Sequence, residues 1–272
     1  MLTLEIIDDH YASVHIIEIS SQGHSFLTLV MAFLLVSRVN IGLKRYNQAR
    51  YHLGTMYRES RELIQSCCVF SNHTVNQAAK EWRNRVAYRT MLLLRLSMAV
   101  IDYPTTNVPA WDVPELRGAE LEDIKASLLT NPANRRWAHG ERSEWEETMR
   151  VPIRMAYLLR KTVHSQGTVL TEAIALVQEN QMLASINSFM NGYYGIRTFV
   201  TTPVPSPLIQ MARTFLFLYV FTVPFVLLRD DSSRFAHCFA VFLLTYGFMG
   251  LEVVAIELDN PFGDDENDFD NM

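Results

Sequence analysis

The sequence predicts an all-α fold in which a few helices cross a membrane and the remaining helices form a polar bundle. Residues 208–228 and 235–256 are each about long enough and apolar enough to span hydrocarbon as a helix. No segment of any length alternates between apolar and polar residues, as a half-buried strand would. Mean hydropathy over the 272 residues is close to neutral, so that a membrane, if the chain enters one, would contact only part of it.

The chain opens with a polar segment, residues 1–22, that carries Glu5, Asp8 and Asp9 before any apolar run. A basic region ahead of an apolar core is missing there, so the segment predicts neither a signal peptide nor a transit peptide. The first strongly apolar block follows at residues 25–36. It is shorter than the roughly 20 residues that a spanning helix needs. A buried core helix, a pore-lining helix and part of an interrupted span all remain open for it.

Between this block and the late apolar stretches, the pattern is helical and amphipathic. Residues 41–102 predict two or more helices, and residues 168–194, with Leu170 and Ile174 near helical spacing, predict another. Arg89 and Arg95 lie in apolar surroundings, which favours a helix packed against protein over one facing lipid. Shorter helical patterns occupy residues 115–136, 137–147 and 151–160. A loop is predicted at three prolines, Pro104, Pro109 and Pro114.

The two late apolar stretches predict a membrane hairpin. A polar linker, residues 229–234, separates them, and Pro224 in the first is tolerated because membrane helices re-satisfy freed backbone groups. The two late apolar stretches and residues 24–37 are the three predicted membrane helices of a domain that comprises residues 23–256. A pair of buried helices in a large soluble bundle is the alternative.

Charge and cysteine usage exclude several classes of function. The net charge of −5 comes from 24 Lys+Arg and 29 Asp+Glu, and six of the acidic residues fall within residues 259–270. Without a basic stripe, a nucleic-acid partner is not expected. Cys67, Cys68 and Cys238 form neither a disulfide framework nor a metal-ligand pair, and we expect reduced, buried thiols. Because the common catalytic and phosphate-binding motifs are missing, the sequence does not predict an enzyme.

The acidic C-terminal segment, residues 257–272, predicts a cation site. A Pro-Phe-Gly turn precedes a dense set of carboxylate and amide side chains. Calcium prefers six to eight oxygen ligands in a flexible arrangement. The spacing does not match an EF-hand loop, and a disordered acidic tail is the alternative.

Three separated blocks carry a resemblance to a known family. An apolar helix ends in Arg-Val-Asn at 38–40 and continues into a basic stretch to residue 50. Thr-Pro-Val-Pro stands at 202–205, after Arg197. Gly-Leu-Glu at 250–252 leads into Asn-Pro-Phe-Gly-Asp-Asp-Glu-Asn-Asp at 260–268. In this order the blocks resemble the bestrophins, especially their plant, algal and bacterial branch.

The resemblance implies a multi-pass membrane subunit with a cytosolic helical bundle. Five identical subunits would surround one pore for chloride, and for other small anions such as bicarbonate or nitrate. Phe26, Val30 and Phe33 would face the narrow neck of that pore, where apolar rings can gate by dewetting. Val177 would match a second, cytosolic constriction.

The same resemblance implies that calcium modulates the channel. Asp265 and Asp268 would bind the ion through side chains, and Asn260 and Glu257 would contribute through their backbone. The sequence does not identify the host membrane, which is either an organellar membrane such as the plastid thylakoid or the plasma membrane.

Two departures from the family keep a second hypothesis open. Bestrophins carry a further membrane helix before the block at residue 25, which residues 1–22 do not supply, and the aromatic cluster after Arg-Val-Asn is thinned to Tyr46 and Tyr51. The alternative is a non-conducting, calcium-binding membrane scaffold. A soluble helical adaptor is a more distant third.

Overall fold

The computed structural model describes residues 21–129, 141–170, 172–227, 234–259, 261, 262 and 269. Within these residues the chain forms helices and connecting segments, with no strand, so the all-α prediction is confirmed. The chain divides into two compact units. The first comprises residues 1–47 and 203–261, and the second comprises residues 48–202 and 262–272.

The described residues form nine α-helices and one 3₁₀ turn. Their bounds are α1 Ser21–Phe70, α2 Gln77–Thr106, a 3₁₀ turn Ala110–Asp112, α3 Ala119–Leu129, α4 Glu141–Thr148, α5 Val151–His164, α6 Gln166–Val169, α7 Leu176–Thr201, α8 Ser206–Leu227 and α9 Arg234–Asp259.

The longest helix, α1, joins segments that the sequence pattern separates. The apolar block at 25–36 and the first half of the amphipathic stretch lie on one continuous helix of 50 residues. No proline occurs between Ser21 and Phe70, so no residue in this range lacks the backbone N–H that a helix needs. Residues 21–47 of this helix belong to the first unit and residues 48–70 to the second.

The first unit contains α8, α9 and the beginning of α1. Its apolar core comprises Met31, Leu35, Leu216, Tyr219 and Val223. The ring of Tyr219 stacks on His24 with centroids 5.0 Å apart and meets the ring of Phe248 edge-on at 5.4 Å. Among the residues that the structure describes, three helices are long and apolar enough to cross a membrane: Gln22–Phe70, Ser206–Leu227 and Phe235–Asp259.

The second unit is a helical bundle built mainly from α2, α5 and α7. Trp82 on α2 donates its indole N–H to the carbonyl of Thr162 at 2.8 Å, and the hydroxyl of Tyr193 donates to the carbonyl of Met149 at 2.7 Å. Burial raises the pKa of Tyr193 well above its usual range. Arg89 is satisfied by Glu120 and by the hydroxyl of Thr162, as expected for a cation packed against protein.

The structure corrects the predicted ends of two helices. α2 continues through Pro104 to Thr106, because a proline in the last turn removes only one backbone hydrogen bond. The helix predicted at 168–194 begins instead at Leu176. Leu170 and Ile174, which have helical spacing in the sequence, are buried but lie outside that helix, in the connection before it.

The cysteine prediction is wrong for two of the three residues. Cys67 is buried, but Cys68 and Cys238 are exposed. Cys68 follows Cys67 by one residue on α1, which rotates its side chain about 100° away from the buried face.

Candidate functional site

One face of α1 in the first unit is lined with large apolar side chains that the described residues leave uncovered. Phe26, Leu29, Phe33 and Val36 are 69%, 68%, 70% and 55% exposed. Steps of three and four residues place them in one stripe along the helix. We call these four residues the exposed stripe. Val30, the third predicted neck residue, is half-buried at its border.

The opposite face of α1 packs against the other helices of its unit. Met31 and Leu35 are almost fully buried against α8, and Arg38 follows one turn later with only 2% exposure. At Gly42, an added Cβ would lie 3.0 Å from the Cβ of Leu258. The missing side chain therefore allows α1 to approach the end of α9 closely.

This close approach brings charged side chains from three helices into contact. Arg38 donates a hydrogen bond from Nη1 to Oε1 of Glu252, and Arg213 donates from Nε to the same oxygen at 2.8 Å. Nη2 of Arg38 lies 3.6 Å from Oδ2 of Asp259. We call these four residues the buried ion cluster. It links α1 and α8 to the last two turns of α9.

The burial of this cluster makes its pairing important. Arg38 and Glu252 are 2% and 5% exposed, whereas Arg213 is half-exposed. Charges removed from water are strongly destabilising unless they are paired. The cluster therefore fixes the rotation of α1, and with it the direction in which the exposed stripe faces.

The sequence identified Arg38 and Glu252 only as parts of family-like blocks, counted Asp259 only among the acidic residues of the C-terminal segment, and gave Arg213 no role. A signal was available, because ionisable residues inside otherwise apolar helices are rare and usually pair with one another. The sequence alone does not show which residues pair, since Arg38 and Glu252 are 214 positions apart.

The predicted second constriction lies in the second unit. Val177 and its neighbour Leu176 are 79% and 71% exposed at the beginning of α7. Gln166 holds the preceding connection, accepting a hydrogen bond from the backbone N–H of Ile174 at 2.7 Å and donating one to its carbonyl at 3.3 Å. The buried carboxylate of Glu179 contacts His164 at 2.8 Å and Gln166 at 3.4 Å. The position of Val177 is therefore set by buried polar contacts on either side.

Three of the four predicted calcium ligands, Asn260, Asp265 and Asp268, lie outside the described residues. Glu257 is half-buried in the last turn of α9. Among the residues that the structure describes, no group of three or more His, Cys, Asp or Glu could hold a metal. Phe262 and Phe269, which bracket the acidic stretch, have ring centroids 5.5 Å apart, and Phe262 also meets Phe199 at 5.7 Å.

The sequence as a whole matches a known protein family. A family model described as Bacterial/Fungal Bestrophin protein matches residues 2–270. The chain belongs to the bestrophin family. Membership confirms the resemblance carried by the three sequence blocks, and with the three apolar helices it identifies an integral membrane protein.

Curated relatives of this bestrophin carry channel names. A voltage-dependent anion channel-forming protein of Synechocystis sp. is 23% identical over 242 residues, covering 89% of this chain and 69% of the relative. The voltage-dependent anion channel-forming protein YneE of Escherichia coli is 26% identical over 246 residues, covering 90% and 69%. These names agree with the expectation that the chain is not an enzyme.

Solved structures share the fold of this bestrophin. Two crystal structures of variants of a bacterial bestrophin homologue from Klebsiella pneumoniae have TM-scores of 0.75 and 0.76 at 17% and 18% identity. Each comparison covers 99% of this chain and 88% of the homologue. At this identity the likeness supports the fold.

Proposed function

We propose that this chain is a subunit of an anion channel in which five copies surround one central pore. The observation that carries the proposal is the exposed stripe on α1, whose direction the buried ion cluster fixes. The names of the relatives from Synechocystis sp. and Escherichia coli support anions as the permeant class. Chloride, bicarbonate and nitrate are the small anions that we propose.

The chemistry of the stripe suits a gate. Rings of apolar side chains around a narrow axis exclude water, and a pore closed in this way opens when the ring widens or becomes polar. Aromatic edges carry partial positive charge, which anions tolerate better than cations do. We assign the neck to Phe26 and Phe33, with Val30 at its border, and a second constriction to Val177.

Anion flux into liposomes tests this assignment. Because a polar side chain at the neck favours water, we expect Phe26→Ser or Phe33→Ser to raise chloride flux severalfold. Phe221→Ser on α8 is the matched control, since Phe221 is also an exposed aromatic residue on a membrane helix. Equal effects at Phe26 and Phe221 would contradict the neck assignment, and an absence of flux from the folded native protein would contradict the channel itself.

We propose further that calcium bound through Asp265 and Asp268 modulates the channel. The donor chemistry fits calcium, and the ring contact of Phe262 with Phe269 brings together the residues that bracket this stretch. Asn260 and Glu257 stay predicted ligands. Calcium can shift the channel from one conformational state to another only if it binds the two states with different affinities.

Flux measured with and without free calcium tests the modulation. We expect Asp265→Ala/Asp268→Ala to remove the response to calcium, whereas Asp112→Ala, an exposed carboxylate in the second unit, keeps it. A native protein that is folded and binds calcium, yet carries no anion, would favour the non-conducting scaffold instead.

A further inference from the structure

The face of α1 that carries the exposed stripe continues beyond its last apolar residue. Asn40, Lys44 and Asn47 are exposed on this continuation. From Phe26 to Lys44 the helix advances about five full turns, and from Phe33 to Lys44 about three. Lys44 therefore lies on the same face as both aromatic residues, roughly 17 Å along the axis from Phe33.

Lys44 differs from the other cations in this part of α1. Among residues 22–47 the Lys and Arg side chains are Arg38, Lys44 and Arg45. Arg38 is buried in the ion cluster. Arg45 is half-buried and near enough to Asp259 to act on its carboxylate. These two positive charges face α9, and the charge of Lys44 remains on the exposed face.

We propose that Lys44 forms a ring of positive charge at the end of the neck, one side chain from each subunit, and that this ring sets the preference for anions over cations. The inference rests on the proposed channel function and adds a specificity-determining residue to it. The stripe itself carries no charge and chiefly controls whether water and ions pass. Selection of anions over cations requires a fixed charge near the ion path. Rings of charged side chains supply this charge in other pores.

The magnitude of the effect follows from simple electrostatics. Several lysines around a pore raise the local potential together, and the low-dielectric walls focus the field along the path. Salt screens this potential over a Debye length of about 10 Å at 0.1 M and about 3 Å at 1 M. The anion preference should therefore be strongest in dilute salt.

Reversal potentials across bilayers with unequal salt on the two sides test the inference. We expect Lys44→Gln to lower the anion-over-cation permeability ratio by roughly three- to tenfold at low salt, which is the size expected for loss of a few nearby charges. Lys44→Glu should lower it further, toward cation preference. Lys44→Arg keeps the charge and should keep the native ratio.

Two controls separate a charged ring in the pore from a general effect of surface charge and from failed assembly. Lys80→Gln removes an exposed positive charge from α2 and should leave the ratio unchanged. Size-exclusion chromatography in detergent shows whether each variant assembles, and if Lys44→Glu does not, Lys44→Gln carries the test. An unchanged ratio in Lys44→Gln, or an equal loss in Lys80→Gln, overturns the inference.

The experiment distinguishes failure of the lysine ring from failure of the channel proposal. A native protein without conductance overturns the channel proposal and with it the ring. A conducting native protein whose Lys44→Gln variant keeps its ion preference overturns the ring alone. If that variant loses only its affinity for anionic vesicles, Lys44 contacts lipid headgroups and the ring is wrong.

Discussion

In the first unit, aromatic residues such as Phe221 and Phe235 are exposed while Arg38 and Glu252 are buried. In the second unit, Leu93 and Met155 are buried, and the ion pair between Arg154 and Asp123 is half-exposed. At these positions the first unit exposes aromatic side chains and buries charged ones, whereas the second unit buries apolar side chains and leaves an ion pair half-exposed.

We infer that the contrast reflects the solvent that each unit meets. Against hydrocarbon, exposed aromatic residues cost little, and a charge must find a partner inside the protein. Against water, burying apolar side chains stabilises the unit and surface charges are well hydrated. An equivalent change to an ion pair should therefore have a large effect in the first unit and a small one in the second.

The largest effect is expected at the buried ion cluster. Arg38→Met leaves Glu252 with the half-exposed Arg213 as its remaining partner in the cluster, and we expect a loss of about 3–4 kcal/mol in the free energy of unfolding, below the full cost of an uncompensated buried charge. Denaturation of the detergent-solubilised protein measures this. The double variant Arg38→Met/Glu252→Met removes both charges and should recover part of the loss. A single variant as stable as the native protein would show that water reaches the cluster.

A smaller effect is expected where the second unit buries polar groups. Gln166→Leu leaves the backbone N–H and carbonyl of Ile174 without their side-chain partner, and we expect a loss of about 2–4 kcal/mol. Amide hydrogen exchange at Ile174 and in the first turn of α7 should accelerate. Gln77→Leu, on the exposed end of α2, is the matched control. Unchanged exchange at Ile174 would contradict the role of Gln166.

These buried polar contacts also mark the limit of prediction from sequence. The helical character and the apolar stretches at α8 and α9 follow from local pattern, because hydrophobic periodicity and length are properties of neighbouring residues. The beginning of α7 does not follow from local pattern. Leu170 and Ile174 have helical spacing, but the side chain of Gln166 satisfies the backbone of Ile174 outside a helix.

The candidate site also contains some features that the sequence predicts and others that it does not. Phe26 and Phe33 could be assigned to one face from spacing and family resemblance, and both are exposed in the structure. The pairing of Arg38 with Glu252 and Arg213 depends on how three helices pack, which spacing along one helix does not encode. Gly42 gives no signal in the sequence either, because its importance comes from Leu258 across the helix contact.

A pH-dependent effect is expected at Tyr193 in the second unit. Burial, the largest cause, raises its pKa above the unfolded value of about 10. The neutral form is therefore favoured in the folded state, and its contribution is complete below pH 10. As the pH rises past 10, the free energy of unfolding should fall by up to about 1.4 kcal/mol per pH unit. The free energy of unfolding, measured from pH 8 to pH 11, should fall less steeply for Tyr193→Phe than for the native protein.

The same variant should also be about 1–2 kcal/mol less stable at neutral pH, because it loses the hydrogen bond to the carbonyl of Met149. Parallel pH curves would contradict the assignment.

The smallest effect is expected at a surface ion pair of the second unit, and it completes the comparison with Arg38. Oε1 of Glu115 lies 3.5 Å from Nε of Arg95, and the side chains of Glu115 and Arg95 are 52% and 39% exposed. Water and salt screen this pair, so Glu115→Gln should change the free energy of unfolding by less than about 1 kcal/mol. The same denaturation experiment in low and high salt measures it, and the small difference should vanish at high salt. A loss as large as that of Arg38→Met would mean that the second unit excludes water as the first does, and the contrast between the units would then have a cause other than solvent.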